Sequence, residues 1–327
     1  MLSLQSRLFL RAQGRTFRPR YQSTSAAPGT AEEEKPIDPR FTELGLLIKD
    51  DFAHFKEKYD SPQHPVVLAH GLMGYDELRI AGDWLPAVHY WPGIKEALQK
   101  NNIEVVTTTV PTTGTIQERA EALQEEIKTK AAGKDVNIIA HSMGGLDSRF
   151  LISRIQPAEF QIKSLTTIAT PHRGSSAADI IFRGIGEDNV AALYKLLAYL
   201  KIDYGAFGQL TRKYVCEEFN PVTPNDPRVR YFSYGASAKP DMMSIFKLPH
   251  DLIEAIEGPN DGLVSVASSK WGYPDGYKGT LMGVTHLDMI NRSSMRRAAA
   301  RLTRTRQDFN AVAFYLAIAD MLAKEGL

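Results

Sequence analysis

Three short, almost wholly apolar runs constrain this chain more than any other feature: 65–69 (PVVLA), 103–108 (IEVVTT) and 136–140 (VNIIA). Each has strand length and is rich in β-branched residues. Between the second and third, apolar residues recur at helical spacing over 116–130, with Ile116, Ala120, Leu123 and Ile127 on one face. Strand, helix and strand in this order imply crossover connections, which join parallel strands. Further strands are expected at 165–169 and 230–234, a helix at 144–155, and a closing helix at 305–324 with Phe309, Val312, Leu316 and Ala319 inward. The expected fold class is therefore α/β, a mainly parallel central sheet with helices on both faces.

Residues 175–220 break the alternation and hold an apolar stretch at 190–200. An insertion there would lie over the open end of the sheet, where ligands bind in such folds. A helical lid is one reading and an ordinary packed helix the other. The catalytic domain is expected to span 61–327, with 31–60 as linker and N-terminal segment. Residues 1–30 carry Arg7, Arg11, Arg15, Arg18 and Arg20, with no Asp or Glu before Glu32. That composition predicts a mitochondrial transit peptide, and hence a mitochondrial location, with a simple basic tail as the alternative. Without those five arginines the chain keeps 34 basic against 38 acidic residues. The formal net charge of +1 gives no global electrostatic case for nucleic-acid binding. No apolar run approaches the roughly 18–20 residues of a membrane span. The single cysteine, Cys216, precludes an intramolecular disulfide and fits a reducing compartment.

Chemistry concentrates in three places. Ala140-His141-Ser142-Met143-Gly144 has the form small-x-Ser-x-small between a strand and a helix. A nucleophile on so sharp a turn needs small neighbours two residues to either side. Ser142 is the candidate nucleophile, and its place at a helix start favours a developing oxyanion. His70-Gly71-Leu72-Met73-Gly74 follows the first strand. Acyl transfer needs two backbone N–H donors on the carbonyl oxygen, and the candidates are Leu72 and Met143. His70 is expected to order this loop. In this fold the acid and then the base follow the serine in the chain. His286, after a strand end, is the best base; His172 is expected to shape the pocket floor and His250 to lie on the surface. Asp261, in Pro259-Asn260-Asp261-Gly262, is the best acid, with Asp241, Asp251 and Asp288 as rivals.

The segments AHSMGGLDSRF, TIATPHRGS, GPNDGLVSVASS, THLDMIN and HYWPGIKEALQKNNIEVVTT together resemble the α/β-hydrolase true lipases of the Pseudomonas and Burkholderia type. The resemblance runs over about 65–291. With its Arg-rich start, the chain is further similar to the fungal mitochondrial triacylglycerol lipases of that group. The resemblance implies a Ser142–His286–Asp261 triad, Leu72 and Met143 as oxyanion donors, and long-chain acylglycerols as substrate. No cofactor is implied for the chemistry. The bacterial enzymes hold a structural calcium, for which Asp288 and, more loosely, Asp241 are the candidate ligands here. Arg292 stands at the amide ligand's position, where a cation opposes Ca²⁺, and is expected to pair with Asp288 instead.

Serine chemistry alone does not fix the substrate. A phospholipase, a short-chain carboxylesterase, a lipid acyltransferase and an inactive scaffold remain as alternatives. Arg292, Arg296, Arg297, Arg301, Arg304 and Arg306 offer a peripheral contact with anionic lipid or, more simply, a solvated helix face.

Overall fold

The computed structural model describes residues 44–72, 77–78, 88–183, 207–240, 246–272, 275–292 and 309–327, all within one compact unit, Asp38–Leu327. Nine strands are formed: β1 Leu47–Ile48, β2 Val66–Ala69, β3 Glu77–Leu78, β4 Val88–His89, β5 Val105–Thr107, β6 Val136–His141, β7 Ile162–Ile168, β8 Arg230–Ser237 and β9 Tyr277–Met282. The helices used below are α1 Ile94–Lys100, α2 Ile116–Lys130, α3 Gly144–Phe150, α4 Ser176–Arg183, α5 Lys247–Glu257, α6 Val266–Ser269 and α7 Ala311–Lys324. Seven strands make one sheet in the order β1-β9-β8-β7-β6-β2-β5, and every pairing in it is parallel. β3 and β4 form a separate antiparallel pair.

The alternation along β2 shows how the sheet divides two cores. Val66 and Leu68 join the apolar cluster that includes Ile94 and Leu98 of α1 and Phe314, Tyr315 and Ile318 of α7. Val67 and Ala69 join the opposite cluster with Ala120, Leu123 and Ile127 of α2. Both faces are dry, so the strands read as continuous apolar runs. α2 starts on a capping box: Thr115 accepts from the Glu118 N–H, and the Glu118 carboxylate accepts from the Thr115 N–H.

Several expectations needed correction. The strand at 103–108 is three residues, β5, and the one at 165–169 is longer, starting at Ile162. The helix at 144–155 is α-helical only to Phe150 and continues as a π-helical turn, Leu151–Ile155. Residues 44–60 do not stand outside the domain: β1 pairs with β9 at the sheet edge. The closing helix is formed over Ala311–Lys324, and residues 305–308 lie outside the described residues. Leu316 and Ala319 are buried, but Phe309 and Val312 are only partly so; Phe314, Tyr315, Ile318 and Leu322 fill the core instead. A helix buried on most of its circumference carries no single apolar stripe from which the inward face could be read. Residues 184–206 of the expected lid, and Arg296 to Arg306 of the basic stretch, lie outside the described residues.

Candidate active site

β6 ends at His141, and the chain turns into α3 through Ser142. Ser142 holds φ at 55°, a region that L-residues seldom occupy. The turn is fixed on both sides: the Ser142 N–H donates to the Ile168 carbonyl at 2.9 Å, and its carbonyl accepts from Gly145 N–H at 3.1 Å and Thr170 Oγ1 at 2.8 Å. The small flanking residues have a steric cause. A Cβ at Gly144 would lie 2.7 Å from the carbonyl oxygens of both Ala69 and His70, and Ala140 is wholly buried.

The loop after β2 lies against this turn. A Cβ at Gly71 would meet the Ser142 Cβ at 2.8 Å, so only glycine lets the two segments approach. His70 orders the loop as expected. Its Nε2 accepts the Val110 N–H at 3.2 Å, which leaves the proton on Nδ1, and Nδ1 donates to the Gly71 carbonyl at 2.9 Å. The peptide is planar and trans, so fixing the Gly71 C=O aims the Leu72 N–H the opposite way. Among the described residues, neither the Leu72 nor the Met143 N–H has a protein acceptor. Behind the loop, Arg119 of α2 donates to the His70 carbonyl at 2.9 Å, to the Pro111 carbonyl at 2.7 Å and to Asp147 of α3 at 2.8 Å. Arg119 and Asp147 are fully buried, and burial, only partly offset by Arg119, pushes the Asp147 carboxyl up to about 6.

Asp261 and His286 meet. Their Oδ2 and Nδ1 atoms are 2.8 Å apart, and both residues are buried. The other carboxylate oxygen, Oδ1, accepts from the Leu263 and Val264 N–H groups at 3.0 and 2.8 Å, and the His286 N–H donates to the Asp261 carbonyl at 3.0 Å. The carboxylate is thus held by backbone at one end and presents the other to the imidazole. The His286 ring centroid lies 4.5 Å from that of His141, the residue directly before Ser142. This brings the imidazole to the nucleophile's turn. No Ser142 Oγ hydrogen bond is formed among the described residues, and such contacts commonly tighten only once substrate is bound.

The rivals to Asp261 are engaged elsewhere or lie outside the described residues. Asp288 Oδ2 accepts from the Thr285 N–H and Oγ1 at 2.9 and 2.7 Å. Asp251 pairs with Lys247 on α5. Asp241 lies outside the described residues. His172 is buried, stacks on Trp271 with centroids 4.8 Å apart and bonds Thr167 Oγ1 at 2.9 Å. His250 is not a surface residue: it is buried in α5. The stretch, expected to be irregular, is a helix that exposes Asp251 and Glu254 and turns His250 inward. His141 and Tyr90 were missed as contributors. Tyr90, just before α1, places its hydroxyl 3.1 Å from the Gly71 nitrogen and 2.8 Å from His141 Nδ1. The HYW segment contained the residue, but nothing in one dimension joins it to residues 19 and 51 positions away.

Comparisons with known proteins place relatives beside this chain. A family model described as palmitoyl protein thioesterase matches residues 65–213. Triacylglycerol lipase 2 of Saccharomyces cerevisiae is 38% identical over 323 residues, covering 84% of this chain and 96% of that protein. A triacylglycerol lipase of Vibrio cholerae is 28% identical over 272 residues, covering 72% and 82%. Among solved structures, Staphylococcus hyicus lipase has a TM-score of 0.59 at 21% identity, covering 82% of this chain and 98% of that one. The mature Bacillus licheniformis lipase BlEst2 has a TM-score of 0.58 at 19% identity, covering 78% and 96%. These two structures share the α/β-hydrolase fold with this chain.

Proposed function

The chain belongs to the triacylglycerol lipase family, and from that premise we propose that it hydrolyses acylglycerol esters with Ser142 as nucleophile, His286 as base and Asp261 as orienting acid. The observation that carries the reading is the buried Asp261–His286 pair, 2.8 Å apart, whose ring lies beside the strained turn at Ser142. Ser142 Oγ attacks the ester carbonyl while His286 Nε2 takes its proton. The Leu72 and Met143 N–H groups hold the oxyanion. His286 then returns the proton to the leaving alcohol, and a water activated by the same imidazole releases the fatty acid. Asp261 keeps the His286 proton on Nδ1 and stabilises the imidazolium. The test is fatty-acid release from triolein: wild type is expected to be active and Ser142→Ala to lose at least about a thousandfold, leaving only residual catalysis by the oxyanion donors. Equal turnover by both proteins would end the proposal.

The substrate class rests on the relatives, and the family model's name brings thioesters in as a second reading. The same oxyanion donors serve both, so the ratio of triolein to palmitoyl-thioester turnover decides between them. A p-nitrophenyl ester series distinguishes a lipase from a short-chain esterase, and product analysis with an added alcohol distinguishes hydrolysis from acyl transfer. We propose further that the structural calcium of the bacterial enzymes is dispensable here. Asp288 already spends one oxygen on Thr285, and Arg292 occupies the position of a neutral ligand. Activity is accordingly expected to survive EDTA. The acid-free, arginine-bearing first 30 residues support mitochondrial delivery, tested by fusing them to a fluorescent reporter.

A further inference from the structure

The oxyanion loop and the nucleophile's turn belong to different strands, β2 and β6, yet their relative position must hold to a fraction of an ångström. Building on the catalytic reading above, we propose that Tyr90 is a positioning residue: its one hydroxyl bridges Gly71 N–H and His141 Nδ1, locking the loop that carries the Leu72 donor to the turn that carries Ser142. Tyr90 is buried, and the bridge consists of a 3.1 Å bond from Gly71 N–H and a 2.8 Å contact with His141 Nδ1. The phenol oxygen accepts the Gly71 N–H, and its own O–H has His141 Nδ1 as the acceptor within reach. That requires His141 to be neutral, with its proton on Nε2. Burial first, and the neighbouring His286 second, hold His141 well below the usual histidine range. Burial likewise pushes the Tyr90 phenol up to about 12, so it remains a donor. A neutral His141 has a second consequence. Its ring lies 4.5 Å from that of His286, and the imidazolium that forms there in the reaction meets no second cation.

Two holds therefore act on one glycine. His70 fixes the Gly71 carbonyl and with it the direction of the Leu72 N–H. Tyr90 fixes the Gly71 nitrogen against the strand that ends in the nucleophile. The first sets the donor's direction, and the second sets its distance from Ser142. Only the second hold crosses from one catalytic strand to the other.

Tyr90→Phe keeps the ring and removes the bridge. It is to be made in the full chain and assayed with a p-nitrophenyl ester, with active sites counted by fluorophosphonate labelling. An alkyl boronic acid, whose serine adduct carries the oxyanion, is the second probe. Displacing a donor by about 1 Å can cost about 100-fold, so kcat per labelled site is expected to fall about 10- to 100-fold. KM should stay within about twofold, because the interaction is made mainly in the transition state. The boronate inhibition constant should rise by a factor similar to the fall in kcat. A purely structural role would lower the melting temperature and leave kcat per labelled site and boronate binding unchanged, and that result overturns the proposal. Should Tyr90→Phe fail to fold, His141→Phe keeps the Gly71–Tyr90 bond and removes the strand-to-strand link; because it also changes the wall beside His286, the boronate constant, which reads the oxyanion donors, decides: a rise supports the proposal and an unchanged value overturns it. Phosphonate labelling of Ser142→Ala as strong as wild type would show a different failure, that of the catalytic reading itself, and the positioning role would fall with it.

Discussion

Replacing Asp261 by Asn is a sharp test of the acid's role, because the backbone dictates how the new side chain must lie. Oδ1 of Asp261 accepts from two N–H groups, Leu263 at 3.0 Å and Val264 at 2.8 Å, while Oδ2 faces His286 Nδ1 at 2.8 Å. An asparagine keeps its carbonyl oxygen on the two backbone donors, so its NH₂ must face the imidazole. A donor now opposes Nδ1, which becomes an acceptor, and the ring proton moves to Nε2. The base is then protonated on the nitrogen that should receive the Ser142 proton. The shape of the site is unchanged, the tautomer is wrong, and the imidazolium loses its counter-charge. Comparable tautomer errors lower kcat about 10⁴-fold, which is about 5.4 kcal/mol of transition-state stabilisation at 1.36 kcal/mol per decade. The assay is kcat on a p-nitrophenyl ester for wild type and Asp261→Asn, with circular dichroism and urea unfolding to show that the variant remains folded. A folded variant retaining more than about a tenth of wild-type kcat would refute the tautomer argument, because no base in the wrong protonation state supports such a rate. It would return Asp288 or Asp241 to consideration.

Two further outcomes follow from buried and half-buried charge. Arg119→Met should destabilise the protein by about 3–5 kcal/mol in urea unfolding by leaving Asp147 buried and unpaired, whereas Arg119→Met with Asp147→Leu should recover most of that loss without recovering full kcat. Equal activity of the double variant and wild type would show that the pair has no part in shaping the site. Asp320 is held at about 2: burial raises it, but Lys324, the Asp60 N–H and Lys56 together outweigh that. A lowered acid stabilises the fold above its unfolded value of 3.8 and loses that contribution as the pH falls towards about 2. Asp320→Asn should therefore be less stable than wild type at pH 7, and the difference should shrink between pH 4 and pH 2. A gap that stays constant over that range would contradict the assignment.

Local chemistry made much of the site legible in the sequence, and pairings between distant strands hid the rest. Ser142 could be found because a strained turn imposes small residues at fixed offsets, and such a constraint is visible within five positions. Asp261 and His286 could be found because the fold imposes their order in the chain. The parallel sheet was legible because strands buried on both faces lose their alternation. β1 was not, because a two-residue edge strand at Leu47–Ile48 has no period to detect, and Leu47 is exposed. His250 was misplaced because its stretch reads as irregular: the helix over Lys247–Glu257 holds Pro249 in its first turn and has no side-chain cap to announce it. Arg119 reads as one more charged residue of an amphipathic helix, yet it is fully buried. Nothing near it in sequence announces that its partners are Asp147 and the carbonyls of His70 and Pro111.

The polar groups behind the site bear on why they exist at all. An apolar pair of similar volume in place of Arg119 and Asp147 would serve stability nearly as well, since a buried ion pair seldom repays its desolvation. What an apolar pair could not do is hold two specific carbonyls in place while bracing the helix that begins at the nucleophile. The guanidinium does all three at 2.7–2.9 Å. The cost is visible in Asp147, whose Oδ1 is buried with no hydrogen-bond partner among the described residues and whose carboxyl is raised to about 6. The same logic covers His70 and Tyr90: both are buried polar side chains that tie the Gly71 backbone to a second anchor, the Val110 N–H for His70 and His141 Nδ1 for Tyr90. An oxyanion hole works only if its donors are already aimed before charge develops. Apolar packing is non-directional and cannot aim an N–H. Buried hydrogen bonds of fixed geometry can, and on the proposed reading of Leu72 as a donor the stability given up around residues 70–72 is what aims its N–H.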